Sequence, residues 1–155
     1  MTTAALRIFS FALFLAALPR TNSTRASESL GPSSRRTGLA ISEIMYRPAP
    51  RTDAKNLEFV ELFNSQLWFE DISGYRVSGA IEFTFPEGTV LPARALVVVA
   101  KNPQDIRSIH GITNVAGPYG QSLPNTSGAV RLHNRAGALL LEVTYSNEPP
   151  WLAAA

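Results

Sequence analysis

The chain has 155 residues, of which 45% are hydrophobic and 17% charged, with no cysteine and a formal net charge of +2. This length supports one globular domain with a sizeable core, and the apolar fraction excludes wholesale disorder. The absence of cysteine excludes disulfide scaffolds, thiolate zinc sites and cysteine nucleophiles.

The positive charge is concentrated near the N-terminus. Residues 1–37 hold five arginines and one acidic residue, whereas residues 38–155 hold nine basic and eleven acidic residues. A nucleic-acid groove needs a broad positive face on a domain that is net basic. The sequence therefore disfavours nucleic acid as a partner. Arg47, Arg51 and Lys55 cluster in one predicted loop, and the pattern favours a solvated loop. A polyanion or nucleic-acid binder is a weaker alternative.

Residues 1–26 are predicted to be a secretory signal peptide. Arg7 precedes an apolar block from Ile8 to Leu18, which is too short to span a bilayer as a helix. Small residues favour cleavage after Ala26, and the Ser- and Arg-rich stretch 27–37 is typical of a flexible linker. The alternative is a mis-started N-terminus with a chance apolar run. The leader predicts a secreted or cell-surface protein.

From residue 38 onward the sequence is typical of an all-β sandwich, because short runs of β-branched and aromatic residues are separated by Gly, Pro, Asn and Asp. Gly79-Ala80 predicts a two-residue hairpin, and residues 134–137 predict a second hairpin turn. The predicted strands are residues 39–46, 57–63, 67–69, 75–78, 81–85, 89–91, 95–100, 129–133 and 138–145.

One short helix is predicted around residues 103–109. Asn102 is a suitable N-cap, Pro103 suits the first helical position, and Gly111 follows the end. We expect this helix to cross between the two sheets.

The segment 57–64 carries the most informative pattern. Glu58, Val60 and Leu62 alternate with Phe59, Glu61 and Phe63, so neither face of a strand would be cleanly polar. The pattern indicates either a strand covered on both sides or one that shows an aromatic and carboxylate surface to solvent.

These segments together resemble the lamin-tail domain family, in its bacterial secreted branch. The resemblance implies an immunoglobulin-like antiparallel β-sandwich over residues 38–151, with a short tail at 152–155, and a non-catalytic binding or structural module. The family has no agreed catalytic residues, so none is assigned. The matching pieces, in order, are residues 41–46 (ISEIMY), 57–64 (LEFVELFN), 71–77 (DISGYRV), 83–86 (FTFP), 88–91 (GTVL), 96–100 (LVVVA), Leu123, Asn125, Gly128, Tyr145 and Pro150-Trp151.

Three carboxylates are candidate metal ligands. Glu43 with either Glu58 or Glu61 would offer the oxygen ligands that calcium prefers, although Glu58 and Glu61 point to opposite faces of a regular strand. The pattern favours the alternative that all three are solvated or strand-capping charges. His110 and His133 have no zinc-ligand spacing, and nucleophile and phosphate-loop motifs are absent from the sequence. No cofactor and no catalytic residue are predicted.

Aromatic residues are the candidate binding surface: Phe59, Phe63, Trp68 and Trp151. Exposed aromatic rings anchor protein interfaces and stack on sugars. Phe59 and Phe63 are favoured as core, whereas Trp68 follows a predicted turn.

The sequence predicts a secreted binding or structural module that recognises a protein or polysaccharide of the cell envelope or extracellular space through a strand edge or a loop. The alternative is an accessory domain separated from a larger secreted hydrolase or nuclease.

Overall fold

The computed structural model describes residues 36–149, and these form ten β-strands and one α-helix. The leader 1–26, most of the predicted linker, the tail 152–155 and Trp151 lie outside the described residues. The strands are β1 Leu39–Met45, β2 Phe59–Asn64, β3 Glu70–Asp71, β4 Arg76–Gly79, β5 Phe83–Thr84, β6 Val90–Leu91, β7 Leu96–Ala100, β8 Val115–Ala116, β9 Ser127–His133 and β10 Leu139–Ser146; the helix is α1 Pro103–His110.

Two four-stranded sheets form the sandwich. The first has the order β1-β2-β7-β8 and the second the order β10-β9-β4-β5, while β3 and β6 pair as a small third sheet. The pairs are antiparallel except for the parallel pair β7–β8. The predicted all-β, immunoglobulin-like sandwich with one short helix is confirmed.

The main core lies between the two large sheets. The first sheet contributes inward side chains such as Val60, Leu62 and Val99, and the second contributes Leu132 and Tyr145, all at most 2% exposed. Each such side chain removed from water stabilises the fold by about 1.5–3 kcal/mol. Because the chain has no cysteine, this packing replaces the disulfide that often joins the sheets of such sandwiches.

A second, smaller core lies on the outer face of the first sheet under helix α1. Asn102 caps the helix by accepting a hydrogen bond from the Gln104 N–H, and Gly111 ends it in the left-handed conformation. These predicted caps are confirmed. The helix covers one end of the sheet with Ile106, which packs in one cluster with Phe59 and Val98.

The expectation that the helix crosses between the sheets is wrong. It connects β7 to β8, which pair in parallel within the first sheet. Parallel neighbours cannot be joined by a tight turn and need a crossover, which α1 supplies. The two-residue strand β8 was not predicted, because Val115-Ala116 has no alternation that distinguishes it from a loop.

Two further predictions about local structure are wrong. Residues 67–69 form a turn, and the strand begins at Glu70. Gly79-Ala80 is not a two-residue hairpin, because β4 ends at Gly79, β5 begins at Phe83, and the side chain of Ile81 between them is fully buried in the core. The predicted turn at 134–137 is confirmed, since the Gly137 N–H donates to the Asn134 carbonyl over 2.9 Å.

Leu62 and Leu67 allow a matched test of the core. Leu62→Ala should lower the free energy of unfolding by about 2–5 kcal/mol, because it opens a cavity between the sheets. Leu67→Ala should change it by about 0.5 kcal/mol or less, since Leu67 is 74% exposed. Urea denaturation of both variants checks this, and equal losses would contradict the described packing.

Candidate functional site

Three consecutive apolar side chains stand in solvent at one end of the sandwich. Leu67 is 74% exposed, Trp68 62% and Phe69 67%, between the end of β2 and the start of β3. We call Leu67–Phe69 the apolar turn. Scattered surface hydrophobic residues need no explanation, but a contiguous group that includes two aromatic rings is typical of a contact surface.

The side chain of Asn64, the last residue of β2, holds the apolar turn in place. Its Nδ2 lies 2.8 Å from the Trp68 carbonyl, 3.2 Å from that of Leu91 and 3.1 Å from that of Pro92. Its Oδ1 accepts a hydrogen bond of 3.0 Å from the Gln66 N–H. Asn64 is 0% exposed. A buried amide has two donor hydrogens and a strong need for partners, so it fixes the backbone of the turn against the segment after β6.

Contacts of Ser65 and Gln66 attach the turn to its neighbours. Ser65 donates from its N–H and its Oγ to the Gly38 carbonyl, over 2.9 and 2.6 Å. Gln66 donates from Nε2 to Glu70 over 2.5 Å and accepts from the Arg94 N–H at 3.3 Å. A side chain at Gly38 would collide with that of Gln66 in its present position, so a larger residue there would force the Gln66 side chain to move.

Residues 36–38, 64–69 and 92–95 therefore form one end of the domain, which we call the apolar end. Pro92, Ala93 and Arg94 are exposed there beside the apolar turn. Glu70, the nearest carboxylate along the chain, accepts hydrogen bonds from Gln66 and from the Tyr75 hydroxyl at 3.3 Å. Partial burial, with the Glu70 charge as a lesser cause, raises the pKa of Tyr75.

The two phenylalanines of β2 differ in their surroundings. Phe59 is buried under α1 in the second core cluster, whereas Phe63 is only half-buried, opposite Leu96 on β7. The strand is therefore covered on both sides at its Phe59 end, whereas its outer face is partly open to solvent at its Phe63 end. Trp68 stands fully in the exposed turn, and Trp151 lies outside the described residues. Leu67 and Phe69 were not proposed as surface residues because residues 67–69 resembled a strand.

The three candidate carboxylates lie on two sides of the first sheet. Glu43 and Glu61 are cross-strand neighbours on β1 and β2, and the Glu61 carboxylate accepts a 2.8 Å hydrogen bond from the Ser42 hydroxyl. Glu58 lies elsewhere, where its carboxylate accepts from the Leu123 N–H over 3.0 Å. Within residues 36–149 no group of three or more His, Cys, Asp or Glu side chains is arranged to hold a metal ion.

Glu43 is the carboxylate whose environment is most informative. Partial burial raises its pKa above the ordinary value, the Glu61 charge adds to the rise, and His110 opposes it. The β1 strand also carries a bulge between Ile41 and Glu43. A bulge and a charge on an edge strand discourage pairing with another chain, so β1 is a poor edge for adding a strand.

The histidines make structural contacts. His133 Nε2 lies 2.9 Å from the Ser78 hydroxyl, and its Nδ1 lies 3.2 Å from the Gly137 carbonyl. The sequence did not indicate this Ser–His contact, which joins β4 to β9 across the sheet. A serine nucleophile also needs a group that orients its histidine base and a substrate site; here a backbone carbonyl occupies the Nδ1 side, and Ser78 is buried.

An open groove of about 650 Å³ lies beside the start of α1, lined in part by Lys101, Asn102 and Arg107. The two basic side chains of this groove donate hydrogen bonds to backbone carbonyls. Lys101 donates to the carbonyls of Gly120 and Gln121, and Arg107 donates to that of Val115. The groove therefore does not present the pair as free charges to an anion.

Replacement of Asn64 tests the anchor of the apolar turn. Asn64→Ala should lower the free energy of unfolding by about 1–3 kcal/mol, because buried carbonyls lose their donor. Asn64→Asp should cost at least as much at pH 7, since it places a carboxylate oxygen against those carbonyls. Asn125→Ala, at an exposed position, is the matched control and should be neutral. Denaturant melts compare the three, and a neutral Asn64→Ala would contradict the anchoring role.

Replacement of Glu43 tests the carboxylate pair. A raised pKa in the folded state means that the ionised form costs stability, and this cost appears as the pH rises through the ordinary glutamate range. Glu43→Gln should therefore raise the melting temperature at pH 7 and have no effect near pH 3. Glu87→Gln, which removes a surface ion pair with Arg135, should give no such gain. A gain for Glu43→Gln that is equal at both pH values would contradict the assignment.

No helix in the described part of the chain is long and apolar enough to cross a membrane.

Comparison with known proteins places this geometry in a family. None of the curated proteins compared with the chain matches it. The model of the Lamin Tail Domain family matches residues 32–147, which is well over half of the chain and includes both sheets, α1 and the apolar turn. The chain is an immunoglobulin-like module that belongs to the lamin tail domain family.

Proposed function

We propose that this protein is a secreted, non-catalytic binding module that attaches at the cell surface through the apolar turn. The observation that carries the proposal is the exposure of Leu67, Trp68 and Phe69 on a backbone held by the buried Asn64 side chain. An apolar group exposed on a well-ordered backbone loses little conformational freedom when it is covered, which favours binding.

The arrangement of polar groups supports a role without catalysis. Glu43 and Glu61 are cross-strand neighbours on β1 and β2, and Glu58 is engaged with the backbone of Leu123. The Ser78–His133 contact has a carbonyl on its far side. General acid–base chemistry needs groups that converge on a substrate position, whereas the carboxylate pair and the Ser78–His133 pair lie on different sheets.

Secretion is supported by the leader pattern in residues 1–26. The partner is then a component of the cell envelope or of the extracellular space. A protein and a polysaccharide are the partners that the sequence favours, and either one would bind at the apolar turn. An accessory domain of a larger secreted hydrolase or nuclease would use the apolar turn in the same way, to hold the enzyme at its substrate.

Binding to isolated cell envelopes tests this proposal. The chain recovered after export from an expression host should sediment with envelopes, and Leu67→Ser/Trp68→Ser/Phe69→Ser should lose most of this binding, because the contact is apolar. The variant Val90→Ser removes an exposed apolar residue of β6 outside the apolar end and should keep it.

Circular dichroism and thermal melts show whether each variant is folded. Equal envelope binding by the wild type and the triple variant would contradict the proposed function.

A further inference from the structure

The side chains of the apolar turn are freely accessible to solvent. They are consecutive and each is more than three-fifths exposed. Pockets for small molecules and sugars are concave and combine apolar walls with a few converging polar groups. The groove beside Lys101 and Arg107 and a smaller one beside Met45 and His110 do not include the turn. Apolar side chains this exposed fit a partner that can surround them.

The types of side chain in the turn agree with a lipid interface. Tryptophan and phenylalanine are large apolar groups, and tryptophan, whose indole N–H can remain hydrated, is enriched at the membrane–water boundary. Leucine supplies a purely aliphatic group beside them. Interfacial segments bury such residues to a shallow depth without spanning the bilayer.

Some backbone groups in and beside the apolar turn already have hydrogen-bond partners. The Trp68 carbonyl accepts from Asn64, the Gln66 N–H donates to Asn64 Oδ1, and the Gln66 carbonyl accepts from the Arg94 N–H. A backbone polar group that leaves water without a partner costs several kcal/mol, which usually excludes irregular segments from lipid. The anchoring by Asn64 removes part of that penalty from the apolar turn.

Charge at the apolar end complements an anionic surface. The three segments that form it, residues 36–38, 64–69 and 92–95, contain Arg36 and Arg94 and no acidic residue. The carboxylate that follows Phe69, that of Glu70, accepts hydrogen bonds from Gln66 and Tyr75. Arg94 is exposed next to the turn. This contrasts with residues 38–155 as a whole, which hold more acidic than basic residues. Basic residues beside an apolar insertion strengthen attachment to anionic lipids.

The first residues of the folded domain also lie at the apolar end. Gly38 lies against Ser65 and Gln66 of the apolar end. The apolar block Ile8–Leu18 precedes it by a short polar stretch. Until its predicted cleavage after Ala26, a leader in this position would connect the membrane to the end of the domain that carries the turn.

We infer that the apolar end binds the surface of a lipid bilayer, with Leu67, Trp68 and Phe69 inserted into the interface and Arg94 against anionic headgroups. This rests on the proposed binding function and replaces the protein or polysaccharide partner with the membrane itself. Two exposed rings and one leucine give shallow, reversible attachment rather than permanent insertion.

Tryptophan fluorescence of the exported chain tests the inference. In a Trp151→Phe background Trp68 is the remaining tryptophan. Vesicles of phosphatidylcholine with about one third phosphatidylglycerol should shift its emission to shorter wavelength, and brominated lipids should quench it, because the indole enters the interface. Leu67→Ser/Phe69→Ser in the same background should weaken vesicle binding at least about tenfold.

Two controls separate insertion from general adsorption. Val90→Ser should leave binding within about twofold, since Val90 lies on β6 outside the apolar end and surface substitutions away from the contact have small effects. Arg94→Gln should weaken binding to anionic vesicles about fivefold and leave binding to pure phosphatidylcholine unchanged. Melting temperatures confirm that the variants are folded.

Unchanged Trp68 emission with both kinds of vesicle would overturn the inference. If the same preparation still sedimented with cell envelopes through the apolar turn, the proposed function would stand and the partner would be an envelope protein or polysaccharide. An equal loss of vesicle binding from the Val90→Ser control would also overturn it, because adsorption would then not depend on the turn.

Discussion

The buried amide of Asn64 is the interaction on which the candidate site depends. It stands at the end of β2 with no exposed surface, and its hydrogen bonds reach the Trp68 carbonyl, the Gln66 N–H and the carbonyls of Leu91 and Pro92 at the end of β6. A polar group in this position is costly unless each donor and acceptor is used. Its geometry therefore dictates the path of residues 65–69, and that path turns Leu67, Trp68 and Phe69 outward.

The strand that carries Asn64 also explains why apolar surface is left at this end. Val60 and Leu62 are buried between the sheets, and helix α1 covers Phe59 on the outer face. The eight-residue helix does not cover the whole sheet, so Phe63 and Leu96 stay partly open beyond it. Exposure of apolar groups thus increases along β2 from the end covered by α1 towards the apolar turn. The carboxylates of Glu43 and Glu61 lie between the covered end and the turn.

Much of the fold followed from local patterns. The long strands were predictable from their β-branched and aromatic runs, and the helix from Asn102, Pro103 and Gly111, because caps act over a few residues.

The errors have a common physical cause, which is that tertiary contacts override local preference. Residues 67–69 have high strand propensity but follow Asn64, whose side chain competes for backbone partners. Ile81 resembled a strand residue but fills the core between two strands. Of the site, Trp68 was predictable from its place after a turn, whereas the exposure of Leu67 and Phe69 depended on knowing where the Asn64 side chain points.

The central claim is that the apolar turn is exposed yet held in one conformation. Nitrogen-15 relaxation of the backbone amides of residues 65–69 measures this most directly, on the exported chain without a binding partner. If Asn64 holds the turn, the order parameters are about 0.85, equal to those of β2, and the side-chain amide of Asn64 exchanges slowly with water. Order parameters below about 0.6 at Leu67, Trp68 and Phe69 would contradict it, because the turn would then be a mobile loop without the preformed surface proposed here.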